Sequence, residues 1–278
     1  MKIAVHLHVF YKDLLPDYLE KLNNLEGCDY DLFVTTTHKD DEIESIVKDF
    51  NPKAIVKIVE NNGYDIGPFV DFLHQINLND YDYILKLHTK NSKGKSMVRL
   101  GFLRINRELW AKKLVDPIVG TKEIFQHNLS FLNMEPQIGM IADWALVVSV
   151  KGHSIKSLYD WFLNEAKKLK LKHVEKAKFV AGTMFLARAN IFQVIKDNYT
   201  VNSFEQTNPN ENDGTKAHLL ERLLGAIVYS NGYYIKRVNF TLSLLKNLSI
   251  YTFFYQKKRN KKGNTIIKIL KIPVYYKK

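Results

Sequence analysis

Cysteine is almost absent. Cys28 is the single one in 278 residues, which excludes an internal disulfide and any multi-cysteine zinc site and leaves a packing role for its thiol. No run of about 18 apolar residues occurs, so nothing reads as a membrane-spanning helix. The start, "MKIAVHLHVFYKDLL", is a short apolar run broken by two histidines and lacks the charged and apolar regions of a signal peptide; a cytosolic protein is expected. There is no G-x-S-x-G elbow, no phosphate-binding Walker loop, no H-E-x-x-H and no G-x-G-x-x-G. Hydrolase, nucleoside-triphosphatase, metalloprotease and dehydrogenase readings therefore lose their support.

Acidic residues are missing from one end. Glu221 is the last, and from Arg222 to Lys278 there are 13 Lys and Arg and no Asp or Glu. The net charge of +12 thus belongs to the tail, while the body holds 28 basic against 29 acidic residues and is nearly neutral. Within the tail, "YTFFYQKKRNKKGNTIIKILKIPVYYKK" interleaves aromatics, cations and apolar residues. That is the composition of a segment lying on an anionic membrane surface, each cation adding about 1 kcal/mol. RNA binding through stacking and phosphate contacts is one alternative and a solvated basic face on a packed C-terminal helix is another.

What is present is a core of 46% hydrophobic residues and a repeating pattern. "KIAVHLHVF", "YDLFVTTT", "KAIVKIVE" and "YDYILKL" read as strands. "LLPDYLEKLNNL", "DDEIESIVKDF" and "GPFVDFLHQI" read as the helices between them. Repeated βα units predict an α/β fold with a mainly parallel sheet flanked by helices, whose ligands lie beyond the carboxyl ends of the strands. Each of those ends is polar: His8 and Tyr11, Thr35 to Thr37, "ENNGYDIGP", and His88, Thr89 and Lys90. Four polar ends on one edge favour a binding crevice. His6 and His8 are expected to divide between core and crevice.

In "NNGYDIGPF", Asn62-Gly63 and Gly67-Pro68 set two bends, with Asp65 between them ahead of a helix whose free amides can meet an anion. Asp65 either accepts from sugar hydroxyls and nearby amides or simply caps the helix. "NSKGKSMVRLGFLRINRELW" suits a basic loop leading into a helix, its Lys93, Lys95, Arg99 and Arg104 clamping phosphates or solvating a surface. "IGMIAD" is a short strand, and "KFVAGTMFLARANIFQVI" a strand continuing into a helix. A polar loop, a helix and a last strand follow, and the boundary falls near Tyr233.

The blocks "HLHVFY", "NNGYDIGPF", "YDYILKLHTKNS", "IGMI", "FVAGTMFLAR" and "DGTKAHLLERLL" occur in the order seen in the rhamnan synthesis F family of bacterial polysaccharide glycosyltransferases, which the chain resembles from about residue 3 to 235. The resemblance implies a GT-A-like domain at 1–235. Its nucleotide-sugar half is 1–90 and its acceptor half 91–235, and 236–278 form a basic extension. It also implies a nucleotide-sugar donor such as dTDP-rhamnose and a lipid-linked glycan acceptor at the inner face of the membrane, with no nucleic acid. "YDYILKLHTK" stands where such enzymes usually end in the metal-binding Asp-X-Asp. His-Thr-Lys suits Mg²⁺ poorly, and Lys90 with a protonated His88 would instead neutralise the phosphates, so no cofactor and no divalent metal are expected. Tyr64 stands where many relatives carry Arg.

On that reading His8, Thr35, Asn62, Gly63, Asp65, Gly67, His88 and Lys90 bind the nucleotide sugar. Gly182 and Thr183 let the backbone approach it and Arg188 reaches phosphate, while Met184 to Ala187 are core. An inverting transfer needs a carboxylate base. Asp213 is assigned that role over Glu211, since it lies in a Gly-containing loop ahead of a helix. His218 and Glu221 are placed at the acceptor, with a core histidine and a Glu221–Arg222 ion pair as the plainer readings. A non-catalytic module that binds a nucleotide sugar or glycan and recruits a partner enzyme is the alternative function.

Overall fold

The computed structural model describes residues 1–91, 97–100, 103–208, 214–239, 255–259, 265–269 and 272–277, with side chains described in 1–91, 106–208 and 214–239. The chain divides into two units, Met1–Val238 and Asn239–Lys278.

The first unit alternates strands and helices. β1 (Lys2–Val9) leads to α1 (Leu15–Leu22), β2 (Asp29–Thr36) to α2 (Asp41–Phe50), and β3 (Ile55–Ile58) to α3 (Ile66–Gln75). β4 (Tyr83–His88) follows, then the antiparallel pair β5 (Met97–Leu100) and β6 (Leu103–Asn106), formed where a basic loop was expected. α4 (Arg107–Val119), α5 (Lys122–Met134), β7 (Ile138–Asp143) and β8 (Val147–Ser149) come next. The rest is α6 (Lys156–Lys168), β9 (Lys178–Val180), β10 (Phe185–Arg188), α7 (Gln193–Asn198), α8 (Lys216–Ser230) and β11 (Tyr234–Val238).

Seven strands form the central sheet in the order β11-β7-β10-β4-β1-β2-β3. All pairings are parallel except those of β10, which runs against both neighbours. The α/β class and the mainly parallel sheet are as the βα periodicity indicates. The chain leaves β1 toward β2 and β3 and returns to β4 on the other side. The switch point therefore lies between β1 and β4, where His8 pairs with His88, and a crevice opens at such a point.

"KFVAGTMFLAR" is not one strand. It breaks at Ala181–Met184 into β9, which pairs only with β8, and β10 in the main sheet. Gly182 and Thr183 both adopt positive φ, 85° and 51°, a conformation that ends a strand. α8 buries ten of its residues and lies directly on β9. Gly225 permits this approach, because a Cβ there would stand 2.2 Å from the Lys178 carbonyl oxygen.

The described residues of the second unit include a three-stranded antiparallel sheet of β12 (Tyr255–Arg259), β13 (Thr265–Ile269) and β14 (Ile272–Lys277). Residues 255–259, 265–269 and 272–277 are thus strands, and the remaining tail from 240 onward lies outside the described residues. No helix among the described residues is long and apolar enough to cross a membrane.

Gly225→Ala is expected to lift α8 from β9 and to destabilise the first unit by about 1–3 kcal/mol, as overpacked core positions do; urea unfolding measures it, and an unchanged midpoint would show that the helix can shift freely.

Candidate functional site

Lys86 is fully buried in β4. Its Nζ donates to Asp65 Oδ2 at 2.6 Å and to both the carbonyl and the hydroxyl of Thr183 at 3.0 Å, which accounts for all three ammonium protons. The Thr183 hydroxyl in turn donates to Asp65 Oδ2. Burial would raise the Asp65 carboxyl, but the His88 ring, whose Nδ1 lies 3.5 Å from Oδ2, the Lys86 ammonium and these hydrogen bonds hold it well below the usual carboxylate range. Burial pulls Lys86 down from its ordinary value, with Asp65 opposing. Asp65 occupies the N-cap position of α3 without a capping side-chain bond; its carboxylate serves the ion pair, which decides against the capping alternative.

Beside this pair lies a row of polar side chains in register across three strands, Thr35, His8 and His88. His6 Nε2 and His8 Nδ1 both meet Thr35 Oγ1, at 2.9 and 3.0 Å. The two histidines thus share one face, correcting the expectation that they divide: residues i and i+2 of a strand point the same way. Burial pushes His8 down to about 4 and holds His6 and His88 well below the ordinary histidine value. His88 is therefore neutral, and the protonated His88 expected at the phosphates is not what this site supplies. Thr89 Oγ1 accepts from the Phe10 and Tyr11 amides at 3.0 and 2.9 Å, pinning the exit of β1.

Two adjoining cavities open above these groups, of about 410 and 270 Å³, and Tyr11, Tyr64, Asp65 and Lys90 line both. The smaller is completed by His8, His88 and Phe10 among others. In the larger, Lys90 Nζ stands 4.6 Å from the Trp110 ring, a cation–π distance, and Arg107 joins it from the first turn of α4. Gly182, Thr183, His218 and Glu221 form the opposite wall. Glu221 Oε1 accepts from the Gly182 amide at 2.9 Å and Oε2 from Arg222 at 2.6 Å, so the expected ion pair exists and the same carboxylate faces the cavity. His218 Nδ1 lies 2.7 Å from Thr215 Oγ1 and its ring tilts against Tyr64.

The structure thus gathers His8, Asp65, His88, Lys90, Gly182, Thr183, His218 and Glu221 around one cleft. Thr35 supports it from below. Asn62, Gly63 and Gly67 do not line it: Asn62 bonds Glu60 and bridges Gln206, Gly63 packs on Phe204, and Gly67 sits against the Asn62 carbonyl. Their loop instead docks the 204–208 segment, since Tyr64 donates to Thr207 Oγ1 and to the Asn208 carbonyl. Arg188 lies elsewhere altogether. Because β10 is antiparallel to β4, Arg188 pairs with Tyr83 at the far end of the sheet, donates to the Ile138 and Leu132 carbonyls and stacks between Tyr83 and Tyr233. It cannot reach phosphate in this cleft. Asp213 and Glu211, with Lys93 and Lys95, lie outside the described residues, as do the side chains of Arg99 and Arg104.

Lys86, Arg107 and Trp110 escaped the sequence reading. The signal for Lys86 was legible: a lysine inside "YILKLH", two residues before His88 and on its face, must find a carboxylate if the strand is buried. Arg107 and Trp110, three apart, share a helix face only once a helix is known to begin at Arg107.

A family model described as rhamnan synthesis protein F matches residues 1–233, in keeping with the resemblance drawn from six sequence blocks. The chain is 24% identical over 260 residues to uncharacterized protein WxcX of Xanthomonas campestris pv. campestris, strains B100 and ATCC 33913 alike, covering 92% of this chain and 35% of WxcX. It therefore spans about a third of the length of these curated relatives. Among solved structures, S. aureus TarS 1-349 aligns with a TM-score of 0.44 at 14% identity, over 86% of this chain and 59% of that one.

The buried histidines predict acid sensitivity. In the unfolded chain His6, His8 and His88 take up protons near pH 6.5, whereas their folded values are lower, so between pH 6.5 and about 4 the unfolded state binds more protons and stability falls as pH falls. Each costs up to about 2 kcal/mol between pH 7 and pH 5. Urea midpoints at the two pH values test this, and equal midpoints contradict it.

Proposed function

Because the chain belongs to the rhamnan synthesis protein F family, we propose that it is a glycosyltransferase of cell-surface polysaccharide synthesis, moving a sugar from a nucleotide-sugar donor to a growing lipid-linked glycan. The observation that carries this reading is the cleft at the β1/β4 switch point, in which Lys90 and Arg107 stand beside an ionised Asp65 and a wall made by Gly182, Thr183 and Glu221. Cations for a diphosphate next to acceptors for hydroxyls is the arrangement a nucleotide sugar needs. The family suggests rhamnose, and dTDP-rhamnose is the proposed donor.

Transfer must stabilise the departing nucleoside diphosphate, and Lys90 and Arg107 would do so without a divalent cation. The strand tip offers little to a hard metal: His88 is a neutral imidazole, Thr89 Oγ1 is held by two amides, and an ammonium such as that of Lys90 has no lone pair to give. Asp65 already accepts from Lys86 and Thr183. Its carboxyl, held so low, suits hydroxyl recognition better than proton abstraction. The inverting base we propose is Asp213, which precedes the α8 cap Thr215 by two residues in sequence, while His218 and Glu221 in α8 hold the acceptor. A GT-A-like arrangement is proposed on the same grounds. The tail, with its lysines, arginines and aromatics, would hold the enzyme at the anionic inner leaflet.

A thermal-shift panel of nucleoside diphosphates and nucleotide sugars, each with EDTA and with Mg²⁺, tests the donor. One nucleotide family should stabilise the protein by about 2.7 kcal/mol at a hundred times its dissociation constant, in EDTA as in Mg²⁺, and support transfer. Stabilisation only with metal would remove the metal-free mechanism, and no response would remove the donor reading. Deleting residues from 250 onward should release the protein from anionic liposomes with transfer to a soluble acceptor retained; undiminished liposome binding contradicts the role given to the tail.

A further inference from the structure

Two residues that line the larger cavity, Tyr64 and Thr183, hold positive φ without being glycine, 56° and 51°. For a β-branched residue such as Thr183 this conformation is strained, and it persists only where neighbours impose it. The neighbour is Lys86, whose Nζ takes both the carbonyl and the hydroxyl of Thr183 and, with its third proton, Asp65 Oδ2. Lys86 is wholly buried and its protons are all used, so it does not touch a ligand itself. What it fixes are two parts of the cleft that do. One is the 181–183 turn, which carries the Gly182 amide to Glu221. The other is Asp65, which lines both cavities and whose hydrogen bonds from Lys86 and Thr183 both end on Oδ2, so that neither of them takes Oδ1.

Resting on the donor reading above, we propose that Lys86 and Thr183 are positioning residues for recognition of the transferred sugar: they aim Asp65 Oδ1 at a ring hydroxyl beside the phosphates held by Lys90 and Arg107. Asp65 suits that place, since it lies where the two cavities meet and shares the larger one with both cations. A carboxylate bound on one oxygen by an ammonium and a hydroxyl has a fixed plane, and its second oxygen then discriminates by direction as well as by charge. The consequence is that sugar recognition and phosphate recognition separate. Lys90 and Arg107 hold the nucleoside diphosphate without help from Lys86, whereas the sugar-bearing donor depends on it.

Calorimetric titration with the nucleotide sugar that the donor panel selects, and with its bare nucleoside diphosphate, tests this in the full chain and in Thr183→Ala, Thr183→Ser and Lys86→Met. Thr183→Ala removes the hydroxyl that Asp65 and Lys86 share, while Thr183→Ser keeps it. The expected result is that Thr183→Ala and Lys86→Met weaken the nucleotide sugar roughly tenfold or more, as loss of a buried hydrogen bond to a charged group does, and leave the nucleoside diphosphate within about twofold. Thr183→Ser should restore both. If Lys86→Met does not fold, Thr183→Ala and Thr183→Ser still decide. Equal weakening of both ligands would assign Lys86 and Thr183 a purely structural role, and unchanged binding of both would remove the inference while leaving the donor reading intact. Failure of every nucleotide to bind the full chain would overturn that reading and this inference with it.

Discussion

The fold of the first unit is organised around one buried ion pair. Lys86 lies in the middle of the sheet, Asp65 at the entrance to α3, and Thr183 in the turn between β9 and β10, and a single ammonium joins all three. A lysine enclosed in an apolar layer is costly unless its charge and its protons are both answered. Here they are, so the segments around residues 65, 86 and 183, distant in sequence, are obliged to meet at one point. Such a pair adds little to net stability, because desolvation offsets much of the attraction. Its effect is geometric: it joins the three segments at Lys86, and the cleft forms at their junction.

The electrostatics of that cleft separate by layer. Nearest the sheet are neutral imidazoles and hydroxyls, His6, His8, His88 and Thr35, kept uncharged by burial beneath α3, where His6 stacks on Phe72. Above them the charges are fixed. Asp65 is negative and held from below, while Lys90, over Trp110, and Arg107 bring positive charge from the start of α4 and the tip of β4. For the proposed donor, a site of this kind would present preformed dipoles and charges to a diphosphate and to hydroxyls without having to reorganise.

Much of this was legible in the sequence. Strand identity followed from β-branched and aromatic runs, and the position of the cleft from the polar residues that end β1, β2 and β4. What the sequence reading missed has definite physical causes. Periodicity does not reveal that "KFVAGTMFLAR" breaks, since the break is set by Lys86 binding Thr183 from another strand. Nor does it reveal strand direction, and a single antiparallel strand was enough to carry Arg188 to the opposite edge of the sheet. His6 and His8 share a face because the pleat repeats every two residues. For Asp65 the cap and ligand roles have the same local sequence, and neither anticipates its ion pair with Lys86, 21 residues on, which leaves the helix without a capping side-chain bond.

The central claim is that a nucleotide sugar occupies the cleft between β1 and β4, and backbone hydrogen exchange with and without the bound donor measures this most directly. The account predicts slowed exchange at Tyr64, Asp65, Lys90 and Asn91 and at the Gly182–Thr183 turn, with α2, α5 and α6 unaffected. Protection confined to other parts of the chain, or the same exchange in both states, would contradict it.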